Sequence, residues 1–445
     1  MNRSLESSSP TAPVPVRIER LVFRGDGLGH LPDGRVVFVP LSAPEDLLAV
    51  RLAPGQGDFA RGRTETLLEP SPLRVPPACR HFGTCGGCQW QHIDYAGQVA
   101  WKAEILRELA LRVGKLSPLP PIAPPLTPLP LWSSRARAQF KVTRGPRPQI
   151  GFHQRESHLV VDLDTCPLLH PTLNALLQGL RRLRTPALGE LCSGLTEVWA
   201  AAGTESGEAS LALFGRVRER AALRLLYHRL RDVVPGLQGI ALLEGDPRRQ
   251  PRVVDRHGLG ALTDTVGNHR FRVDATAFFQ VSGTAAAALT AELLRAACLT
   301  GAERVLDLYC GVGTFTVPLA ARAREVVGVE AHPAAWGDAV HNLAAAGCGN
   351  ARVLRAETER ALAELPGGAW DLAVLDPPRQ GASRPVLEAL GRLAVPRILY
   401  VSCDPSTLVR DLGLLAQAGY ACRSLQPLDL FPHTFHLETI ALLER

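Results

Sequence analysis

The chain has 445 residues, 46% of them hydrophobic, which is enough for two to four domains with cores of their own. It contains no apolar run of membrane-spanning length and residues 1–3 begin no signal peptide, so the sequence excludes a membrane protein and predicts a soluble, cytoplasmic one. The net charge is +6, and residues 1–150 hold 19 Lys and Arg against 12 Asp and Glu, an imbalance that favours a polyanionic partner.

The N-terminal region changes character after a short leader. Residues 1–14 contain three successive serines followed by a proline, and they are predicted to be disordered. Short alternating strands with glycine corners follow at residues 17–22, 25–29 and 34–39. They predict a small barrel of the OB type over residues 15–73. This region resembles the TRAM module of RNA-modifying enzymes, and the alternative is a generic small β domain.

A group of cysteines follows the predicted barrel. Cys79, Cys85 and Cys88 form a C-x5-C-x2-C cluster, and Cys166 lies far downstream beside a proline. The chain has ten cysteines, and disulfides are rare in the cytosol, so this grouping favours metal binding or catalysis. Three close thiolates with a distant fourth can hold a zinc ion or an iron–sulfur cluster, and the spacing alone does not separate the two.

The middle of the chain carries no motif that names a reaction. Amphipathic spacing predicts a helix over residues 95–112, before a proline-rich link. Strands are predicted at residues 138–143 and 150–153, and helices at 172–183 and 219–233. We interpret residues 74–267 as a central α+β domain that carries the cysteines and part of an RNA surface. A helix over residues 95–115 is expected to pack on the C-terminal domain.

Strands and helices alternate over residues 268–445, which predicts a Rossmann-like α/β domain with a parallel sheet. Its first strand opens into a turn with Gly311 and Gly313, and its second strand ends at Glu330. Glycines at this turn let a nucleoside lie on the backbone, and an acid at the tip of the second strand can bind both ribose hydroxyls. The turn lacks the third glycine of a dinucleotide site, whereas S-adenosylmethionine, which has no phosphate, fits.

Two prolines follow the strand predicted at residues 370–375. Residues 376–379 read Asp-Pro-Pro-Arg, and the prolines fix the backbone so that Asp376 faces the pocket. A similar turn serves enzymes that methylate amines, which makes an N-methyltransferase the alternative. A cysteine beyond the next strand favours another reaction, because C5 of a pyrimidine becomes nucleophilic only after a group adds at C6.

That cysteine is Cys403, which follows an apolar run at residues 398–401. The run predicts a buried strand that ends where a helix begins, with Pro405 in the first helical turn. We expect the amides of that turn to favour the thiolate of Cys403, which is the reactive form. A buried structural cysteine is the alternative.

Four segments together resemble the RNA uracil-5-methyltransferase family. They are the glycine turn, the Asp-Pro-Pro-Arg turn, the Ser-Cys-Asp-Pro segment at residues 402–405 and the stretch at residues 431–439. With the barrel and the four cysteines, the chain is most similar to the branch that acts on 23S ribosomal RNA, whose cluster is [4Fe–4S]. The resemblance implies an S-adenosylmethionine-dependent enzyme that makes 5-methyluridine in RNA, as a monomer and without a membrane.

The resemblance also implies roles for individual residues. Cys403 is the nucleophile, Glu438 is the base that removes the C5 proton, and the cluster ligands are Cys79, Cys85, Cys88 and Cys166. The cofactor and base pocket holds Gln280, Tyr309, Gly311, Gly313, Thr314, Glu330, Glu357 and Asp376. Tyr309, Thr314 and Glu357 differ from the residues most frequent in the family, which affects the contacts of the cofactor more than the reaction.

The sequence leaves the target and one other class of function open. A uridine in the T-loop of transfer RNA fits the same chemistry as a uridine in ribosomal RNA. A non-catalytic RNA-binding assembly factor would also use the barrel, the charge asymmetry and the cluster. Such a factor has no need of both Cys403 and Glu438.

Overall fold

The computed structural model describes residues 12–54, 57–144, 148–182, 194–215, 220–246, 251–366 and 369–445. Most of the predicted leader and the outer ends of the helices predicted at 172–183 and 219–233 lie outside these residues. The chain forms two compact units. The first comprises Met1–Gly83, Cys88–Leu106 and His433–Phe435, and the second comprises Thr84–Gly87, Arg107–Pro432 and His436–Arg445.

The first unit contains a closed five-stranded barrel, as the sequence predicts. Its strands are β1 (Val14–Leu21), β2 (Gly27–His30), β3 (Val36–Val39), β4 (Leu47–Leu52) and β5 (Phe59–Glu69), in the order β1-β2-β3-β5-β4. Alternate residues point inward, and Val16, Ile18, Val37 and Val50 are buried in the barrel core. This closure leaves no long free edge, which agrees with an OB-like TRAM barrel.

The segment after the barrel is tied to it within the same unit. Asp46 is fully buried and accepts hydrogen bonds of 2.7 Å from Nε and from Nη2 of Arg74, just beyond β5. The indole of Trp90 donates 3.0 Å to the carbonyl of Gly25. His433, from the C-terminal stretch, has its amide 2.8 Å from Oε1 of Gln98. His433 is therefore held against Gln98 within the first unit.

Helix α1 (Tyr95–Arg112) has the bounds that the sequence predicts. Its C-terminal part belongs to the second unit, where a Cβ on Gly114 would lie 2.8 Å from the side chain of Val409. Leu116 donates its amide to Ala110 at 3.0 Å and closes the end of the helix.

The second unit contains a seven-stranded sheet of mostly antiparallel strands from the middle of the chain. Its strands are β6 (Arg137–Val142), β7 (Ile150–His153), β8 (Val160–Asp162), β9 (Leu195–Ala202), β10 (Ala209–Gly215), β11 (Leu237–Glu244) and β12 (Arg252–Gly258). Helices α2 (Pro171–Arg182) and α3 (Arg220–Arg231) pack on it around a core that includes Phe140, Leu176 and Leu226. The order is β12-β11-β10-β9-β6-β7-β8.

The second unit also contains the predicted α/β fold, preceded by the hairpin of β13 (Ala261–Val266) and β14 (His269–Asp274). The sheet strands are β15 (Arg304–Leu308), β16 (Glu325–Glu330), β17 (Ala351–Arg355), β18 (Leu372–Leu375), β19 (Arg397–Ser402), β20 (Ala421–Leu428) and β21 (Glu438–Glu444). The helices are α4 (Gly283–Ala297), α5 (Thr316–Ala320), α6 (Pro333–Ala345), α7 (Thr358–Glu364), α8 (Arg384–Leu393) and α9 (Pro405–Gln417).

The strand order of this sheet, β17-β16-β15-β18-β19-β21-β20, places its switch point between β15 and β18. Five of the strands are parallel, and β21 runs antiparallel to both of its neighbours, β19 and β20. The predicted parallel sheet is therefore mixed at one edge, where residues 429–437 connect β20 to β21 without a helical crossover. The carboxyl ends of β15, β16, β18 and β19 share one edge, where open α/β sheets bind ligands.

Among the described residues, no helix is both long and apolar enough to cross a membrane. The predicted division at residues 73 and 267 stays a prediction.

Candidate active site

The turn after β15 forms one side of the expected cofactor site. Gly311 and Gly313 have φ angles of +57° and +86°, and Tyr309, at +63°, is a non-glycine residue in the same left-handed region. The amide of Gly311 donates 2.9 Å to Oε2 of Glu330, and the amide of His332 donates 2.6 Å to Oε1. A Cβ on Gly311 would meet no atom within 4 Å. The predicted acid and the predicted glycine turn therefore meet beside open space.

Asp376 and Gln280 also meet, although 96 residues separate them. Nε2 of Gln280 donates 3.2 Å to Oδ2 of Asp376, directly after β18. Gln280 is only 8% exposed, so it is a buried hydrogen-bonding residue and not a surface amide. Burial raises the pKa of Asp376 to about 7, and the charge of Asp307 adds to this effect.

Asp307 carries a polar atom that the protein leaves unsatisfied. Its Oδ2 accepts a 2.6 Å hydrogen bond from the hydroxyl of Thr316. Its Oδ1 is buried and has no hydrogen-bond partner in the part of the chain that the structure describes. Burial raises the pKa of Asp307 to about 7, and the nearby charge of Glu330 acts in the same direction. Such an atom is where a ligand donor would be expected to bind.

Of the three residues that depart from the family pattern, Tyr309 and Thr314 lie in the turn after β15 and Glu357 lies before α7. Burial raises the pKa of Tyr309 to about 12, and the charges of Glu359 and Glu357 contribute, so Glu357 lies within electrostatic reach of the tyrosine. Glu357 itself is exposed immediately before α7 and caps that helix without a side-chain hydrogen bond. Thr314 is 9% exposed within the turn.

Cys403 lies between β19 and α9, as the sequence predicts. Tyr400 and its neighbours in the strand are fully buried, and Pro405 occupies the first turn of the helix. The thiol is half-buried. Its pKa is raised to about 12, chiefly by burial and then by the charges of Glu438 and Asp376, while Arg379 opposes them. At neutral pH Cys403 is therefore a thiol in the ligand-free protein.

The expectation that the amides of this turn favour a thiolate is wrong. Asp404 is the N-cap residue of α9, and its Oδ1 accepts the amides of Ser406 at 2.9 Å and Thr407 at 3.2 Å. The first-turn donors thus bind a carboxylate and not the sulfur. The charge of Asp404 also raises the pKa of Cys403.

Glu438, the predicted base, is 2% exposed at the start of β21. It is buried and not a solvated edge residue. Burial raises its pKa well above the usual range, the charge of Asp376 adds to this, and Arg379 lowers it. Cys403, Glu438, Asp376 and Arg379 therefore form one electrostatic group at the carboxyl ends of the strands.

Arg379 has a role that the sequence analysis did not assign. It is the fourth residue of the Asp-Pro-Pro-Arg turn, and it is the cation that lowers the pKa of both Cys403 and Glu438. Its position beside two prolines that fix the backbone could have indicated this role. The chain contains many arginines, however, so the sequence does not distinguish Arg379 from the others.

The four predicted cluster cysteines are divided between the two units, with Cys79 and Cys88 in the first and Cys85 and Cys166 in the second. Among the described residues, no three His, Cys, Asp or Glu side chains are arranged to hold a metal ion. Cys85 and Cys166 both pack against the core of the central sheet. The backbone of Cys166 is fixed by Asn174, which accepts its amide at 2.9 Å and donates to its carbonyl at 3.0 Å. In the first unit, the amide of Cys79 donates 3.1 Å to Oε1 of Gln91.

Comparison with known proteins gives a consistent result. Residues 266–445 match the family model for tRNA (uracil-5-)-methyltransferase. The chain is 36% identical to an RNA methyltransferase of Thermosynechococcus vestitus, over 97% of this chain and 98% of that protein. It is 34% identical to the 23S rRNA (uracil(1939)-C(5))-methyltransferase RlmD of Methylococcus capsulatus, over the full length of both chains.

A solved structure shares the fold. The Pyrococcus abyssi tRNA (uracil-54, C5)-methyltransferase, in complex with S-adenosyl-L-homocysteine, superimposes with a TM-score of 0.72 at 24% identity, covering 96% of this chain and 99% of that one. Full-length relatives above 30% identity and the matched catalytic region point the same way. This chain belongs to the family of S-adenosylmethionine-dependent RNA (uracil-5-)-methyltransferases.

Proposed function

We propose that this protein transfers a methyl group to C5 of a specific uridine in 23S ribosomal RNA through a covalent bond between Cys403 and C6. The observation that carries the proposal is the electrostatic group of Cys403, Glu438, Asp376 and Arg379 beside the glycine turn. An amine has its own lone pair and needs no such nucleophile, so this group favours carbon methylation over the N-methyltransferase alternative.

The first step is addition of sulfur to the base. A stacked uracil is out of reach of a thiol, so the target uridine is single-stranded or flipped out of its stack. The Cys403 thiol gives its proton to solvent and its sulfur forms a bond to C6, and the C5–C6 π electrons move into an enolate across C4 and C5. Arg379 assists because its positive charge stabilises the thiolate.

The later steps depend on Glu438. S-adenosylmethionine, when bound, would supply an electrophilic methyl group to C5, and the sulfur–methyl bond would break to leave S-adenosylhomocysteine. Glu438 then removes the remaining C5 proton, and the C6–sulfur bond breaks to release Cys403 and 5-methyluridine. Burial raises the pKa of Glu438, which makes its carboxylate a stronger base once it is ionised.

The residues around the glycine turn suit an adenosyl ligand. Glu330 would bind the ribose hydroxyls, and the unsatisfied Oδ1 of Asp307 offers a buried acceptor. Gln280, Asp376, Tyr309 and Glu357 complete the proposed cofactor and base pocket.

We further propose that Cys79, Cys85, Cys88 and Cys166 hold a [4Fe–4S] cluster. Four thiols are the donor set that such a cluster requires, and Cys85 and Cys166 border the same core. The reaction transfers no electrons, so the cluster would act as a structural element that orders an RNA-facing loop. Thiol ligands and an RNA target both fit a reducing, cytoplasmic compartment.

Mapping 5-methyluridine in total RNA from cells with and without the gene tests the target. We expect one position in 23S ribosomal RNA to lose its methyl group and to regain it with wild-type protein but not with Cys403→Ala. Loss confined to transfer RNA would support the alternative that the family model and the Pyrococcus abyssi structure favour. An unchanged map in both RNAs would contradict the proposal.

A further inference from the structure

The loop after β18 carries Asp376 and Arg379, and it is fastened to the elements that carry Cys403. Gly381 has a φ of +81°, and its amide donates 2.8 Å to the carbonyl of Pro378, which closes a tight turn. Arg379 itself is exposed, and the backbone of this loop sets the point from which its side chain extends.

Helix α9 contacts this loop at successive residues. Oγ1 of Thr407 lies 3.2 Å from the carbonyl of Arg379, and Nη2 of Arg410 donates 2.8 Å to the carbonyl of Gln380. The amide of Ala382 donates 2.9 Å to Oδ2 of Asp411. The loop is therefore fixed from residue 379 to residue 382 by one helix, which begins directly after Cys403.

Asp411 and Tyr400 lie at the centre of this attachment. Both are fully buried, and the hydroxyl of Tyr400 donates 2.6 Å to Oδ2 of Asp411 and accepts the amide of Ala382 at 2.9 Å. Nε of Arg410 donates 2.8 Å to Oδ1 of Asp411, which satisfies its second oxygen. A buried carboxylate with three kinds of donor holds one geometry, because each lost bond leaves a buried polar group unsatisfied.

The close packing around Asp411 supports this interpretation. A Cβ on Gly381 would lie 2.4 Å from Oδ2 of Asp411, so the backbone of the loop approaches the carboxylate directly. The same carboxylate therefore bonds the strand that precedes Cys403, the helix that follows it and the loop that bears Arg379.

We propose that Asp411 and Tyr400 are positioning residues that hold the loop of Arg379, and with it the positive charge of this arginine, near the Cys403 thiol. This proposal rests on the assignment of Cys403 as the nucleophile. Four charged residues act on the thiol: Glu438 from β21, Asp376 and Arg379 from the loop, and Asp404 from the start of α9. Arg379 is the cation among these four residues. Displacement of its loop would therefore leave the Cys403 thiol beside the acids Glu438 and Asp404.

The test compares two alkylating reagents at Cys403. Iodoacetate is an anion and iodoacetamide is neutral, so the ratio of their rate constants reports the local positive charge, while thiol accessibility and the thiolate fraction cancel. Trypsin releases residues 398–410 as a peptide in which Cys403 is the sole cysteine, so mass spectrometry follows this thiol alone. The full-length protein is used at pH 9.

We expect Asp411→Asn and Tyr400→Phe each to lower the iodoacetate-to-iodoacetamide ratio by about threefold. This is the effect expected when one positive charge moves several ångströms away from the thiol at a solvent-exposed site. Arg379→Gln removes the positive charge itself, so it should give the lowest iodoacetate-to-iodoacetamide ratio of the variants. Tyr420→Phe is the matched control, because this buried tyrosine hydroxyl instead bonds the carbonyls of Leu390 and Val395. It should keep the wild-type ratio.

A wild-type ratio in Tyr400→Phe and Asp411→Asn would overturn the proposal, as would a wild-type ratio in Arg379→Gln. Tyr400→Phe removes only one hydroxyl, so it keeps the test available if Asp411→Asn does not fold. The readout requires only a thiol at residue 403, and it therefore remains valid if Cys403→Ala proves active and the assigned nucleophile is wrong.

Discussion

Opposing charges act on Cys403 at the level of the single residue. Burial and the acids Glu438 and Asp376 raise the pKa of the thiol to about 12, and Arg379 lowers it. A thiol that is protonated before its substrates arrive reacts slowly with oxidants and other electrophiles. The same acids that keep the thiol inactive include Glu438, the group that we assign to the last proton transfer.

Glu438→Gln should separate the steps of the reaction. Sulfur addition and methyl transfer precede removal of the C5 proton, and a positioned general base typically contributes about 10²–10⁴ in rate. We expect a burst of close to one S-adenosylhomocysteine per active site, then very slow turnover with methylated RNA joined to Cys403. Rapid-quench measurement of the product checks this. An absent burst would place Glu438 before methyl transfer, and normal turnover would mean that another residue is the base.

At the scale of elements, one strand, one turn and one helix deliver the nucleophile. β19 runs through the buried sheet to Ser402, Cys403 follows, and Asp404 caps α9. The cap stabilises the helix but occupies the amides that would otherwise favour the thiolate. The cap therefore stabilises α9 but does not lower the pKa of Cys403. The cation that does lower this pKa, Arg379, belongs to the loop after β18.

Asp404→Asn should remove the charge and keep the cap. Asparagine and aspartate cap helices about equally well, so we expect little change in the free energy of unfolding, whereas Asp404→Ala should lose about 1 kcal/mol. Because the negative charge raises the pKa of Cys403, alkylation by iodoacetamide should be about two- to fivefold faster in Asp404→Asn at pH 8.

In the wild-type protein and in Asp404→Asn, the rate at which iodoacetamide alkylates Cys403 should rise about tenfold per pH unit between pH 7 and 10. The reason is that the thiolate fraction rises by this factor at pH values below a pKa of about 12. A rate that levels off near pH 8, or one that Asp404→Asn leaves unchanged, would contradict this account of the turn.

Local patterns predicted α1, β6 and β7 but not the strands β8 to β12 of the central sheet, and tertiary contacts account for what they missed at the site. Amphipathic spacing located α1 at Tyr95–Arg112, and the strand predicted at residues 150–153 matches β7. The prediction that Cys403 favours its thiolate was wrong. The pKa of this thiol depends on Asp404, whose side chain accepts the amides of the helix, and on Glu438 from a distant strand. Asp411 gave no signal, since an acid in a helix is ordinarily exposed, and its burial requires Tyr400 and Ala382 as partners.

At the scale of the whole molecule, a barrel, a central sheet and a methyltransferase sheet are encoded in one chain. The barrel and the positive N-terminal third suit binding of an RNA backbone, which sequence-independent charge contacts dominate. Three of the four cysteines assigned to the cluster, Cys79, Cys85 and Cys88, lie between the barrel and the central sheet in the sequence, and Cys166 follows β8. A cluster there would order the chain that joins the two folds.

Protein purified without oxygen should be brown, with broad absorption near roughly 400 nm, as thiolate-bound iron–sulfur clusters are. Cys85→Ser should lose the colour and the bound iron, and Cys298→Ser, which changes an exposed cysteine of α4's C-terminal cap, should keep both. Elemental analysis of the same samples checks the metal. Stoichiometric zinc without iron would show that the site is a zinc site.

The central claim is covalent catalysis by Cys403, and 5-fluorouridine tests it most directly. Fluorine at C5 cannot leave as a cation, so the base cannot complete the reaction and the bond between the protein and the RNA persists. With target RNA that carries 5-fluorouridine and with S-adenosylmethionine, wild-type protein should give a complex that survives denaturing electrophoresis, attached through residues 398–410. Cys403→Ala should give none. A denaturant-stable complex that persists in Cys403→Ala would contradict the account, because another residue would then be the nucleophile.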